Sequence, residues 1–193
     1  MMRVVLLALT VVWVLLSGCA APSNVVDELT PTQPDATRQR AMRRLSLASA
    51  YFEQGQNDAA MSEARAALQI DAHYAQAYNL VGLLHQRAGA AHLAEPSFTQ
   101  ALQWAKPAEQ GDIEHNYAWF LCQEKRYTDA QTHFARALAQ PGYTQRSKTW
   151  MSQGVCQLRA GERVQAQQSF EAAILADPQN PWARQQLDAL KNK

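Results

Sequence analysis

A small residue recurs at Ala48, Gly82, Ala118 and Gly154, at intervals of 34, 36 and 36. No other feature of the 193-residue chain constrains its fold as tightly. Twelve residues beyond each of these stand Ala60, Ala94, Ala130 and Ala166. Four further on come Ala64, Phe98, Phe134 and Phe170, and three beyond those Ala67, Ala101, Ala137 and Ala173. A period of this length marks a supersecondary unit that cannot bury its apolar face alone and so stacks on copies of itself. Ala, Gln, Leu and Arg dominate from Arg38 onward, so each unit is helical. Two antiparallel helices then meet where the small residues let their backbones approach, and a large apolar residue fills the space between units.

The register resembles the tetratricopeptide repeat and covers nearly everything after residue 37. It implies an all-α, right-handed superhelix of four repeats, at about 41–74, 75–108, 111–144 and 147–180, with a capping helix at 181–191. Gly55, Gly89 and Gly161 fall in the turn inside each hairpin, where a left-handed backbone is needed; Lys125 takes that place in the third unit. Pro107, Pro141 and the Asp177-Pro178 pair mark unit ends. The first unit departs most: Arg44 replaces a large aromatic and Ala64 the Phe, as a terminal unit tolerates. Pro96 falls inside the second helix of unit two, which predicts that this helix starts late or bends. Trp182, Leu187 and Leu190 at roughly helical spacing predict the buried face of the cap.

The N-terminal segment is of another kind. Met1-Met2-Arg3 is a short positive stretch, and Val4 to Leu16 is apolar apart from Thr10. A membrane-spanning helix needs roughly 20 residues, so this shorter run reads as the core of a secretory signal. Leu16-Ser17-Gly18-Cys19 follows and resembles the bacterial lipobox. That resemblance implies cleavage after residue 18 and acylation of Cys19, and several acyl chains anchor almost irreversibly at roughly 0.8 kcal/mol per buried CH₂. Ala20, where Asp favours retention at the inner membrane, implies the outer membrane, with the protein on its periplasmic face. Residues 19–37, rich in Pro, Thr, Ser and Asp, read as a lipidated terminus and flexible linker; its eighteen residues from Ala20 have a root-mean-square span of about 25 Å. The repeat domain is then 38–193.

Without Arg3 the chain carries 17 basic and 17 acidic residues, a balance that suggests neither nucleic acid nor an acidic polymer as partner. The five histidines (His73, His85, His92, His115, His133) show no metal-type pairing. Cys122 and His115 share a helical face, yet nothing supplies an oxyanion hole or a third group. No enzyme, metal, cofactor or small-molecule substrate is expected. The working surface of such a stack is the concave groove lined by first helices. Repeat position assigns to it Leu45, Phe52, Asn79, Leu83, His115, Trp119, Met151, Val155 and Leu158. Its large apolar members suit a peptide segment of a partner; superhelical curvature or the linker folding back would equally account for them. Arg87, Lys148 and Arg159 at its edge are candidates for orienting a partner's carboxylates. Cys122 and Cys156 lie in the first helices of consecutive units, two positions apart in the repeat. That is a rotation of about 200°, compatible with a disulfide and equally with two buried free thiols.

Two segments narrow the reading. His115-Asn116-Tyr117-Ala118-Trp119-Phe120-Leu121-Cys122, followed by Lys125-Arg126-Tyr127 and Ala130, resembles a stretch of the type IV pilus biogenesis/stability lipoproteins, the PilF/PilW family. Gly142-Tyr143, Arg146-Ser147, Trp150, Gly154-Val155-Cys156 and Ala160-Gly161 are similar to that family's next unit, second cysteine included. The resemblance implies a pilotin: an outer-membrane lipoprotein that helps secretin subunits reach that membrane and form their ring. The alternative is a lipoprotein adaptor or scaffold for cell-wall enzymes or outer-membrane assembly complexes, with the same fold and a different ligand.

Overall fold

A computed structural model describes the backbone of residues 33–191 and the side chains of 36–190; the signal segment, Cys19 and most of the linker lie outside them. The helices are α1 (Gln33–Glu53), α2 (Asn57–Ile70), α3 (Ala75–Arg87), α4 (Ala91–Trp104), α5 (Pro107–Gln123), α6 (Tyr127–Ala139), α7 (Arg146–Ala160), α8 (Arg163–Ala176) and α9 (Pro181–Lys191). There is no strand among the described residues. The pairs α3–α4, α5–α6 and α7–α8 pack as hairpins and α9 lies against α8; α1 and α2 share one apolar cluster and the Arg44–Glu63 ion pair, completing four.

The repeat register is a steric rule. Phe98, Phe134 and Phe170 are fully buried, and the rings of Phe98 and Phe170 lie across the backbone of Gly82 and Gly154. A Cβ at Gly82 would stand 2.8 Å from the Phe98 ring, and one at Gly154 would stand 2.6 Å from the Phe170 ring. In the first unit, the ring is replaced by Ala64 opposite Ala48, both with no exposed surface. Phe98 also reaches the next unit, 5.5 Å from the Tyr117 ring and 5.6 Å from that of Phe120. The aromatic that closes one hairpin thereby joins it to the following one.

Gly55, Gly89 and Gly161 carry φ of 74°, 71° and 83°, and Lys125 occupies the same turn at 62°. A side chain in that region costs roughly 1–2 kcal/mol, which the helices on either side of Lys125 sustain.

Several boundaries differ from the sequence reading. α1 begins at Gln33, inside the stretch that composition assigns to the linker. Pro34 falls in its first turn, where a missing N–H costs little. Arg38 then docks its guanidinium over the Tyr74 ring, 3.8 Å from the centroid, and pairs with Asp71 at 2.6 Å. Pro107 starts α5 and does not merely end the preceding unit, so the third unit opens before residue 111. α4 does not start late: its first residue, Ala91, is in register with Asn57, Tyr127 and Arg163, and the helix continues through Pro96 to Trp104. Nearby, the Ser97 hydroxyl donates to the Leu93 carbonyl at 2.8 Å. The cap buries Ala183 and Leu187, while Trp182 is 63% exposed. Ala183, Leu187 and Leu190 follow the 4,3 spacing of one helical face, and Trp182 falls off it.

Gly154→Ala drives a methyl group into the Phe170 ring and should cost about 1–3 kcal/mol. Urea unfolding of the single variant and of Gly154→Ala with Phe170→Leu checks this, with the smaller side chain recovering part of the loss.

Candidate protein-binding groove

The first helices of the opening three units, α1, α3 and α5, lie side by side and leave a cleft of about 360 Å³. Leu45, Phe52, Asn79 and Leu83 line it, together with Leu80 and Ile113. A second hollow of about 300 Å³ shares Phe52 and Leu83 and adds Trp119, Gln86, Arg87 and Gln123. Phe52, Leu83 and Trp119 are half-buried, so the apolar floor is reachable along much of its length. Between neighbouring first helices, side-chain amides form rungs: Asn116 Nδ2 donates to Asn79 Oδ1 at 3.2 Å, and Gln86 Nε2 to Gln123 Oε1 at 2.9 Å.

Five of the nine groove residues inferred from repeat position therefore line these two hollows. The other four are placed differently. His115 is 5% exposed, with Nδ1 2.9 Å from the Thr149 hydroxyl, which also meets the Tyr143 hydroxyl at 2.8 Å. It is an inter-unit packing residue, and burial, with the Lys148 cation adding to it, pushes its imidazole down to about 4. Met151, Val155 and Leu158 pack with Ile174 and Leu190 around Phe170 and Leu187. These three are half-buried, as Phe52, Leu83 and Trp119 are, but they line neither of the two hollows.

Arg87 lines the second hollow as the sequence places it, but the larger cleft carries the opposite charge. Arg87 lies over the Phe52 ring, 3.6 Å from its centroid, and donates to the Phe52 carbonyl at 2.9 Å and Asn57 Oδ1 at 3.1 Å. Arg159 stands 4.9 Å over Trp119. The charged groups lining the larger cleft are carboxylates: Glu53, Glu109 and Asp112. Glu109 accepts the Lys106 N–H at 2.9 Å as part of the α5 cap and faces Arg38 at 3.6 Å. The signal for these acids was present in Pro107, a good first residue of a helix. Starting α5 there brings Glu109 and Asp112 onto the groove side.

Cys122 and Cys156 meet across α5 and α7 with Cα atoms 5.8 Å apart, their sulfurs in contact, and both side chains buried. A separate polar knot ties α4, α5 and α6. Glu95 accepts from Tyr117 at 2.9 Å and Arg126 at 2.6 Å, and the Arg126 hydrogen bond holds its carboxyl below the usual range. Burial lifts the Tyr117 phenol to about 12. His133 Nδ1 meets Glu114 beside them at 2.5 Å. Among the described residues, no cluster of His, Cys, Asp and Glu is arranged to hold a metal.

The depressed His115 value has a stability consequence with a definite sign. Folding keeps this imidazole neutral, so between pH 6.5 and about 4 the unfolded chain binds the extra proton. Stability supplied by His115 is therefore full above about pH 6.5 and falls, by on the order of 2–3 kcal/mol, as pH drops towards 4. Urea midpoints at pH 7 and pH 4.5 should separate strongly for the native chain and less for His115→Gln. Equal separation would place the acid sensitivity elsewhere.

The tetratricopeptide-repeat family model matches residues 44–74. The type IV pilus assembly protein PilF of Pseudomonas aeruginosa is 26% identical over 167 residues, which is 86% of this chain and 64% of PilF; the chain thus spans just under two thirds of that relative. The solved structure of PilW, a widely conserved type IV pilus biogenesis factor, superposes with a TM-score of 0.73 at 28% identity, over 80% of this chain and 70% of PilW. The P. aeruginosa PilF structure shares the fold, with a TM-score of 0.74 at 24% identity over 82% of this chain and 69% of that one. Repeat register, fold and sequence together make the chain a tetratricopeptide-repeat protein homologous to PilF and PilW.

Proposed function

We propose that this protein acts in type IV pilus biogenesis as an outer-membrane pilotin, holding a segment of the pilus secretin in the groove of its first three units. The observation that carries the reading is the half-buried apolar floor of Phe52, Leu83 and Trp119, which a chain acting alone would rather cover. Homology to PilF and PilW supplies the process. The Leu16-Ser17-Gly18-Cys19 sequence supports a lipid anchor at Cys19 on the periplasmic face. A helical or extended peptide seated on the floor would remove that apolar surface from water, and the amide rungs at Asn79–Asn116 and Gln86–Gln123 would orient it. No catalytic step is part of this reading. In an oxidising periplasm the Cys122–Cys156 contact becomes a disulfide; alkylation under denaturing, non-reducing conditions should then leave both thiols unmodified.

Two experiments test the role. Deleting the gene should deplete secretin multimers from outer-membrane fractions, read by immunoblot, and normal multimers with normal pili would remove the pilus reading. Leu83→Ala with Trp119→Ala should cut recovery of secretin in pull-downs at least about tenfold, as expected for truncating apolar anchors, with an unchanged helical circular-dichroism signal.

A further inference from the structure

The sign of the groove carries the reading one step further. Three carboxylates line the larger cleft beside Phe52 and Leu83, and no Arg, Lys or His does. Arg38 offsets Glu109 at 3.6 Å. Glu53 and Asp112 are exposed and have no ion pair among the described residues. The nearest arginine of the adjoining hollow, Arg87, is already engaged with the Phe52 ring, the Phe52 carbonyl and Asn57. Like charges brought together at an interface are repelled and complementary ones are steered in, so an acidic peptide is disfavoured here.

We infer that the occupant of this groove is an amphipathic peptide segment of the partner whose apolar stripe is bordered by Lys or Arg. The stripe seats on Phe52 and Leu83, and the flanking cations face Glu53 and Asp112. The inference rests on the reading of the groove as a docking site and adds the partner's charge to it. It predicts that recognition weakens with ionic strength, since both carboxylates are solvent-facing and screened within a Debye length of roughly 10 Å at 0.1 M salt.

The test uses two labelled synthetic amphipathic peptides with the same leucine stripe, one bordered by lysines and the other by glutamates. Each is titrated with full-length protein in mild detergent and read by fluorescence anisotropy. The lysine peptide should bind on the order of tenfold more tightly at low salt, and added salt should erase the difference. Glu53→Lys with Asp112→Lys, both on exposed positions, should reverse the preference and leave the helical signal intact. Equal or tighter binding of the glutamate peptide, or binding of neither, overturns the inference. So does full support of secretin multimers in cells by the doubly reversed variant, which would leave the pilus role standing. Normal multimers after deletion of the gene would remove the pilus role and leave the peptide preference to be read independently.

Discussion

The close approach of the two helices of a hairpin at a small residue, with a phenyl ring filling the space in three of the four units, is the contact on which the repeat depends. At Gly82 and Gly154 the ring of the partner helix occupies the volume where a Cβ would stand, so the two helices of a hairpin can close to their observed separation only with that residue type there. The same ring then projects onward, as Phe98 does towards Tyr117 and Phe120. One side chain thus sets both the spacing within a hairpin and the seating of the next. The groove is a consequence of that geometry. First helices that are seated at a constant angle present one face in common, and Phe52, Leu83 and Trp119 occupy that face in three successive units. Unit one closes its hairpin on two alanines, Ala48 and Ala64, at the cost of the onward contact, which a buried stack of Leu80, Val81, Leu84 and Tyr74 replaces.

The seams between units are not alike. One apolar cluster runs from unit one into α3, and a second runs from α4 through α5 and α6. Between units three and four the second cluster continues only as far as Cys156, and the last cluster is formed by α7, α8 and α9. What crosses that seam is mostly polar: His115 with Thr149, and Gln153 and Gln157 with Gln131. A polar seam specifies orientation but gives less net stability than apolar burial, and here the buried Gln131 Nε2 and Gln153 Oε1 have no hydrogen-bond partner among the described residues. A cross-link between Cys122 and Cys156 would act at this junction. Closing a loop with a sequence separation of 34 is worth on the order of 3–4 kcal/mol in the chain-entropy model, comparable to the cost of burying His115 in its protonated form.

The repeat was legible in the sequence because it is a steric code: Ala and Gly where backbones cross, Phe where units meet, and Gly at the left-handed turns. Lys125 was legible as a turn residue by register alone. The boundaries were less legible, since tertiary contacts decide them. Arg38 extends α1 by docking on Tyr74 and Asp71, partners in the turn between α2 and α3 that are far off in sequence. The cap face shifted by one residue because five positions separate Trp182 from Leu187, and burial follows the helix, not the hydrophobicity of one side chain. For the groove, repeat position located the helices that line the two hollows but treated every unit as equal. His115 is buried in the third unit, and in the fourth Met151, Val155 and Leu158 pack, half-buried, against Phe170 and Leu187.

Charge is where local sequence is least informative about a surface of this kind. Arg87 and Arg159, read along the chain, are groove-edge cations; folded, each guanidinium lies over an aromatic ring, where cation–π attraction is worth about 0.5–1 kcal/mol at an exposed site. A stacked guanidinium keeps its charge but presents its plane to the ring, and Arg87 also directs donors to Phe52 and Asn57, which limits what it can offer a carboxylate. The carboxylates of Glu53 and Asp112 have no such claim on them. A chain with 18 basic and 17 acidic residues thereby acquires a cleft beside Phe52 and Leu83 whose charged lining is carboxylate alone, through the way its arginines are held and not through its composition. Because that sign depends on Phe52 and Trp119 holding the arginines, the apolar floor and the polarity of the groove are one device: removing an aromatic would both shrink the floor and release a cation into the cleft.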